Sequence, residues 1–366
     1  AKKQDHGCDE RWRMLTTRVS LDARRVEAWT VQEAQPVDLL DRFLGCLLGM
    51  AIGDALGMPV AGCAQDGIAA QYGWLDRFVP RVASDGTVDV PPGTFTDETE
   101  LALCLIESAI GSGGYLDIAA VGYRFLRLLE GPGARFLDEP TRRALTDAAH
   151  HLDFQRGVAG PGTATGSAAA RAAPIGLLHA LCRFNPELFV RDVLRATVIT
   201  HAEPEVVNGA LAVAYAVLLL AQGATPPEVL ADEVVRFIDE DAVAARLRRV
   251  ALRIHPTSDS IAAAAQLGTL GTSAAVDEVV ASAFAAFVAA PDDFLRAVAI
   301  AVNAGGASDT RGAITGALAG THLGVHALPS ALVEALDGQP YLVMAARGLF
   351  QAAQQRAGRF VRLLVR

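Results

Sequence analysis

Residues 41–57 read DRFLGCLLGMAIGDALG, with Gly45, Gly49, Gly53 and Gly57 at every fourth position. Residues four apart share one face of an α-helix. Each glycine costs a helix about 1 kcal/mol relative to alanine. A four-residue stripe is therefore costly unless a side chain there would block something, and it predicts very close backbone approach between buried helices. Residues 309–320, DTRGAITGALAG, repeat the spacing with Gly312, Gly316 and Gly320. A membrane-dimer reading of the same pattern is disfavoured, because Asp41, Arg42 and Asp54 interrupt the first segment.

Composition agrees with a helical chain. Of 366 residues, 51% are hydrophobic but only 6% aromatic, so the apolar content is mostly Ala, Val and Leu. Such residues favour helix over strand. The formal net charge of −9 argues against a general nucleic-acid or membrane-surface binder, which needs a basic face. Five dispersed cysteines, Cys8, Cys46, Cys63, Cys104 and Cys182, form no CxxC pair and read as reduced thiols of a cytoplasmic protein. The polar start carries no apolar signal segment. The longest apolar run, residues 209–221, is shorter than the ~20 residues that span a bilayer and reads as a buried core helix.

Residues 1–36 are polar and weakly periodic, and are expected to form an arm or a short accessory helix over residues 11–25. Residues 37–366 are expected to form a single domain. Helical patterns there are separated by Gly/Pro-rich breaks at 80–93, 111–114, 131–133, 157–166, 255–259 and 328–329, with no convincing strand alternation.

Residues 91–105, PPGTFTDETELALCL, concentrate oxygen ligands at a helix start. Asp97 and Glu100 have the form of an N-cap and its N3 acid, so a well-capped helix explains this stretch by itself. A second cluster, GGASDT at 305–310, puts Asp309 and Thr310 at the start of the other striped helix. Two such ends could converge on one hard cation, Mg²⁺ or Mn²⁺, which take carboxylate, hydroxyl and water oxygens.

Five stretches carry a resemblance: GCLLGMAIGDALGMPV at 45–60, GTFTDETELAL at 93–103, GTATGSAAARAAPIGLL at 162–178, THAEPEVVNGALAVAYAV at 200–217 and AVNAGGASDTRGAITGALAGTHLG at 301–324. In order and spacing they resemble the ADP-ribosylglycohydrolases, the group containing the dinitrogenase reductase-activating glycohydrolase and the ADP-ribosyl-acceptor hydrolases. The resemblance runs from about Asp41 to Pro329. It implies a compact, orthogonal, all-α multi-helix bundle with a central metal-lined cleft holding two Mg²⁺ or Mn²⁺ ions. It also implies hydrolysis of the bond between C1″ of ADP-ribose and an acceptor, with an ADP-ribosylated or ribosylated protein or small molecule as partner.

Carried onto this chain, the resemblance makes Thr96, Asp97, Glu98, Asp309 and Thr310 the metal ligands, with Asp97, Glu98 and Asp309 also catalytic. It makes Gly166, Ser167, Arg171, His201, Gly305 and Gly306 the substrate-binding residues. Arg171 could touch phosphate or make a structural pair, and His201 could line the ribose side or cap a helix.

The chain departs from the pattern in particular places. The usual Thr-Asp-Asp-Thr is Thr96-Asp97-Glu98-Thr99, Ala307 replaces the first Asp of Gly-Gly-Asp-x-Asp-Thr, Thr165 replaces a usual Asn, and Ala61 stands where many members carry Glu. In the family, the acids missing at Ala61 and Ala307 serve the same metal position, so the resemblance implies one surviving ion held by Thr96, Asp97, Glu98 and Asp309, and nearby Asp66 could replace a lost carboxylate. Two functions follow: a hydrolase with one metal, or an ADP-ribose-binding protein that cleaves poorly. Elsewhere, His150 and His151 read as surface residues. His322 and His326 stand at i and i+4 without a third ligand, and RLRR at 246–249 reads as a solvated helix face.

Overall fold

The computed structural model describes residues 36–151 and 153–358. The accessory helix expected over residues 11–25, and Cys8, lie outside the described residues.

The two glycine stripes pack on each other. Helices Pro36–Gly57 and Ser308–Leu323 run antiparallel with Gly45 against Gly320, Gly49 against Gly316 and Gly53 against Gly312. A methyl added to any of these six glycines would come closer than 3.0 Å to the carbonyl oxygen of its opposite number. At the end of the register Gly57 faces Ser308, whose hydroxyl donates to the Gly57 carbonyl at 2.8 Å. This explains why both stripes accept the helix cost of glycine: the backbones themselves are the contact surface.

Helices Val276–Ala289, Phe294–Asn303 and Pro204–Gln222 pack against Ser308–Leu323, and Gln339–Arg356 packs against Pro36–Gly57. Pro204–Gln222 starts with proline in its first turn and stops at Gly223, in the left-handed region at φ 71°. Its side chains from Val206 to Ala221 are all buried, as expected of a core helix. By length and composition Leu39–Val60 and Pro204–Gln222 could each cross a membrane, but 100% and 89% of these windows are buried inside the protein. Most of the buried apolar side chains form one cluster.

The fold is helical, with one addition. The break expected at 80–93 contains a two-stranded antiparallel hairpin, Arg81–Val82 with Val88–Val90. Its cause is an Asp-Gly turn: Gly86 takes φ +83° and Asp85 accepts from the Thr87 amide at 2.9 Å and hydroxyl at 2.6 Å. With strands of two and three residues, there is too little alternation for a sequence pattern to show.

The turn before Ser308–Leu323 is pinned from three sides. Gly305 and Gly306 both have positive φ, 76° and 70°, and a methyl on either would strike the backbone of Cys63 or Thr272. Gly306 N–H donates to Cys63 O and Gly62 N–H donates to Gly306 O, each at 2.8 Å. Behind the turn, fully buried Arg311 donates to Ala301 O at 2.8 Å and to Gly305 O. Elsewhere, the 246–249 run is not a simple solvated face: Arg246 pairs with Asp277 at 2.5 Å and Arg249 donates to Thr269 O at 3.0 Å.

Candidate active site

The glycine register fixes where the acids meet. Asp54, in the last turn of Pro36–Gly57, is fully buried next to the start of helix Asp97–Gly111. It accepts four hydrogen bonds: from Thr96 N–H at 3.0 Å, Thr96 Oγ1 at 2.8 Å, Thr99 N–H at 3.1 Å and Thr99 Oγ1 at 2.6 Å. Burial still pushes its pKa up to about 7 against these donors, with Asp309 adding repulsion.

This corrects the capping expectation. The N-cap is Thr96, whose hydroxyl accepts from Glu98 N–H at 3.4 Å, and Asp97 is the first helical residue. Because Thr96 caps the helix and Asp54 holds both threonines, Asp97 and Glu98 are left to face the cleft. Thr96 itself does not line it: its hydroxyl is given to Asp54.

A cleft of about 350 Å³ is lined by Asp97, Glu98, Asp309 and Thr310 together with Asp138, Thr165, Gly166, Ser167, Phe136, Ser273 and Ala274. Ala61, Gly62, Gly306 and Ala307 complete the wall. Thr310 Oγ1 donates to Glu98 Oε1 at 2.6 Å and Asp309 Oδ1 accepts from Thr310 N–H at 2.9 Å. Glu98 Oε2 and the hydroxyl of Ser167 are buried with no hydrogen-bond partner. Unpaired buried polar atoms are costly, so their presence on a cleft wall points to a ligand that completes them.

The acids repel one another. Burial first, then the charges of Glu98, Asp138, Asp54 and Asp309, raise Asp97 well above the usual carboxylate range. Burial and Asp309 do the same to Glu98, and burial raises Asp309. Among the described residues no group of three or more His, Cys, Asp or Glu side chains is spaced to hold a metal ion. The donor set is nonetheless all oxygen, anionic, and has an orphaned carboxylate oxygen, which is the chemistry of a hard divalent cation. Asp97, Glu98, Asp309 and Thr310 fit such an ion if the carboxylates draw in around it.

Of the other expected substrate-binding residues, Gly166, Ser167 and Gly306 line the cleft, while Gly305, Arg171 and His201 do not. Gly305 pairs with Ala64 behind the wall. Arg171 is 1% exposed, donates to Thr200 Oγ1 at 2.6 Å and lies 5.2 Å from the Phe125 ring centre, so its placement gives the structural role and not a phosphate contact. His201 is fully buried one layer back, between Thr200 and Thr165. Asp66 is exposed and off the cleft wall.

Two acids escaped sequence reasoning. Asp54 had a visible signal, a carboxylate inside a buried glycine-striped helix. Asp138 had none, because it has the local form of an ordinary cap, accepting from Thr141 N–H at 2.9 Å before helix Glu139–His151. Burial acts to raise Asp138, but the polar groups turned toward it, His201 Nε2 at 3.6 Å foremost and then Thr141 and Thr165, outweigh burial and hold the carboxyl below its ordinary range.

The ADP-ribosylglycohydrolase family profile matches residues 35–359. The chain belongs to this family. It is 29% identical over 305 residues to the ADP-ribosyl-[dinitrogen reductase] glycohydrolase of Rhodospirillum rubrum, covering 81% of this chain and 90% of that one. It is 26% identical over 322 residues to the ADP-ribosylarginine hydrolase Tri1 of Serratia proteamaculans, covering 86% and 81% of the two chains. A solved structure described as an ADP-ribosylglycohydrolase-related protein complex superposes with a TM-score of 0.68 at 27% identity, covering 87% of this chain and 99% of that one. Within this family frame, Ala61 and Ala307 now have a location: both are on the cleft wall beside the acid cluster.

One consequence is measurable on stability. Asp54 has a folded pKa of about 7 against an ordinary 3.8, so the folded state binds that proton more tightly than the unfolded chain. Metal-free protein should therefore lose stability as pH rises from about 4 through about 7. Divalent cation should offset the loss, by about 2.7 kcal/mol at a concentration 100 times its dissociation constant. Asp97, Glu98 and Asp309 also hold their protons more tightly than usual, and those protons compete with an ion for the same oxygens, so the Mg²⁺-induced rise in Tm should grow with pH. A rise that is absent or pH-independent speaks against ion binding at these carboxylates.

Proposed function

We propose that this family member is a divalent-metal-dependent hydrolase of the C1″ glycosidic bond in an ADP-ribosyl or related ribosyl conjugate. The observation that carries the reading is the meeting, in one cleft, of buried Asp97 and Glu98 and half-buried Asp309 with the Gly166–Ser167 turn and its unpartnered hydroxyl. Bound Mg²⁺ or Mn²⁺ would act as a Lewis acid and orient the ribose hydroxyls. Asp97, Glu98, Asp309 and Thr310 would hold it. Ser167 and the Gly166 backbone would bind the substrate's oxygen-rich diphosphate or ribose. Asp97 and Glu98 stand side by side on the cleft wall and Glu98 keeps an unpartnered oxygen, so Asp97 is assigned the water and Glu98 the leaving group.

Ala61 and Ala307 on the same wall favour a second reading, a protein that binds ADP-ribose and cleaves it poorly. The deciding experiment is release of ADP-ribose or ribose from ADP-ribosyl-arginine, ADP-ribosyl-serine and a simple N-riboside, each with Mg²⁺, Mn²⁺ or chelator. Metal-dependent release from any of them supports the hydrolase and identifies the acceptor. Tight ADP-ribose binding with no release supports the second reading, and Ala61→Glu with Ala307→Asp should then restore turnover.

A further inference from the structure

Behind the cleft wall, three side chains join a buried arginine to Asp138. Arg171 Nη2 lies 2.6 Å from Thr200 Oγ1, which lies 2.7 Å from His201 Nδ1. His201 Nε2 lies 2.8 Å from Thr165 Oγ1, which contacts Asp138 Oδ2. We propose that Arg171, Thr200, His201 and Thr165 form a one-directional hydrogen-bond chain that positions Asp138 as a fixed acceptor in the cleft.

The direction follows from the two ends. Guanidinium can only donate, and a carboxylate can only accept. Thr165 has one proton and spends it on Asp138, so His201 Nε2 carries a proton and donates to Thr165. With the ring neutral, Nδ1 is then the acceptor and takes the proton of Thr200, which itself accepts from Arg171. Burial lowers the pKa of His201, in keeping with the neutral ring that this chain requires. Arg171 Nε and Nη1 have no partner, so the Thr200 link and a longer bond to Ala196 O at 3.3 Å are its polar ties. The other Asp138 oxygen is held by Thr141 N–H, so the carboxylate is fixed at both ends while its side chain stays 25% exposed.

The chain makes Asp138 a rigid acceptor for a donor group on the substrate, and Arg171 a positioning residue acting at a distance. The role in turnover rests on the hydrolase reading; the hydrogen-bond direction does not. Two measurements separate them. In the ¹⁵N spectrum of imidazole-labelled protein, assigned with His201→Gln, His201 should be a single neutral Nε2–H tautomer. A cationic or Nδ1–H ring in the native protein overturns the chain whether or not the protein is a hydrolase.

In turnover, Thr165→Val and Thr200→Val should each lower kcat/KM about tenfold, as for other residues that orient a functional group from behind. The double variant should be no worse than the weaker single one, because either break interrupts the same chain. Losses that multiply to about a hundredfold would mean independent effects and overturn the coupling. Thr200→Ser should restore activity; if it does not, the loss comes from packing and not from the chain.

Discussion

Asparagine in place of Asp309 should lower metal-dependent release of ADP-ribose by about 10²–10³-fold, the scale seen when one preorganised electrostatic group is removed from an active site. The substitution is isosteric and its oxygen can still accept from Thr310 N–H, so the helix start survives. What goes is one negative charge from a cleft whose acids raise each other's pKa. Metal-free stability should therefore hold or increase while activity falls, and the Mg²⁺ shift in Tm should shrink. That combination of opposite signs separates loss of function from loss of fold. Full activity in Asp309→Asn would sink the assigned role, and a matching fall in stability would recast Asp309 as structural.

The largest stability effect is expected at Gly53→Ala. The new methyl would strike the Gly312 carbonyl, with Ala313 N 3.2 Å away, so the obstacle is backbone that cannot rotate aside. Overpacking ordinarily costs about 1–3 kcal/mol and alanine's helix preference returns about 1. Against backbone in a three-pair register the strain is expected at the top of that range, for a Tm drop of several degrees. Gly67→Ala is the matched control: Gly67 is also helical, with ordinary φ and nothing within 4 Å of an added methyl, so that change should be neutral or mildly stabilising. Equal melting of the two variants would show that the stripes do not meet as described.

What the sequence disclosed follows from how local each cause is. The stripes were legible because glycine in a helix has a known cost, and a repeated cost needs a repeated reason. The two oxygen-rich helix starts were legible for the same reason, and Asp97, Glu98, Asp309 and Thr310 do share a cleft. Less legible were residues whose partners are distant in the chain. Thr96 keeps the form of a ligand, and only the fold shows that its hydroxyl donates to Asp54, 42 residues away. Arg171 has the form of a phosphate contact until Thr200 and the Phe125 ring account for it. Asp138 looks like a cap and is one, and only the fold shows that its other oxygen meets Thr165 on a cleft wall.

The antiparallel pairing of the striped helices also dictates an order of assembly. Ser308 meets Gly57 across 251 residues, so the central contact of the molecule closes one of its longest loops. Contacts of such separation form slowly, and a chain leaving the ribosome cannot make this one until its last third has emerged. Until then the Asp54–Thr96–Thr99 half can form without Asp309. The half-built cleft holds fewer of the charges that repel, so the nascent chain meets the electrostatic cost of its own acid cluster only when the final glycine stripe docks.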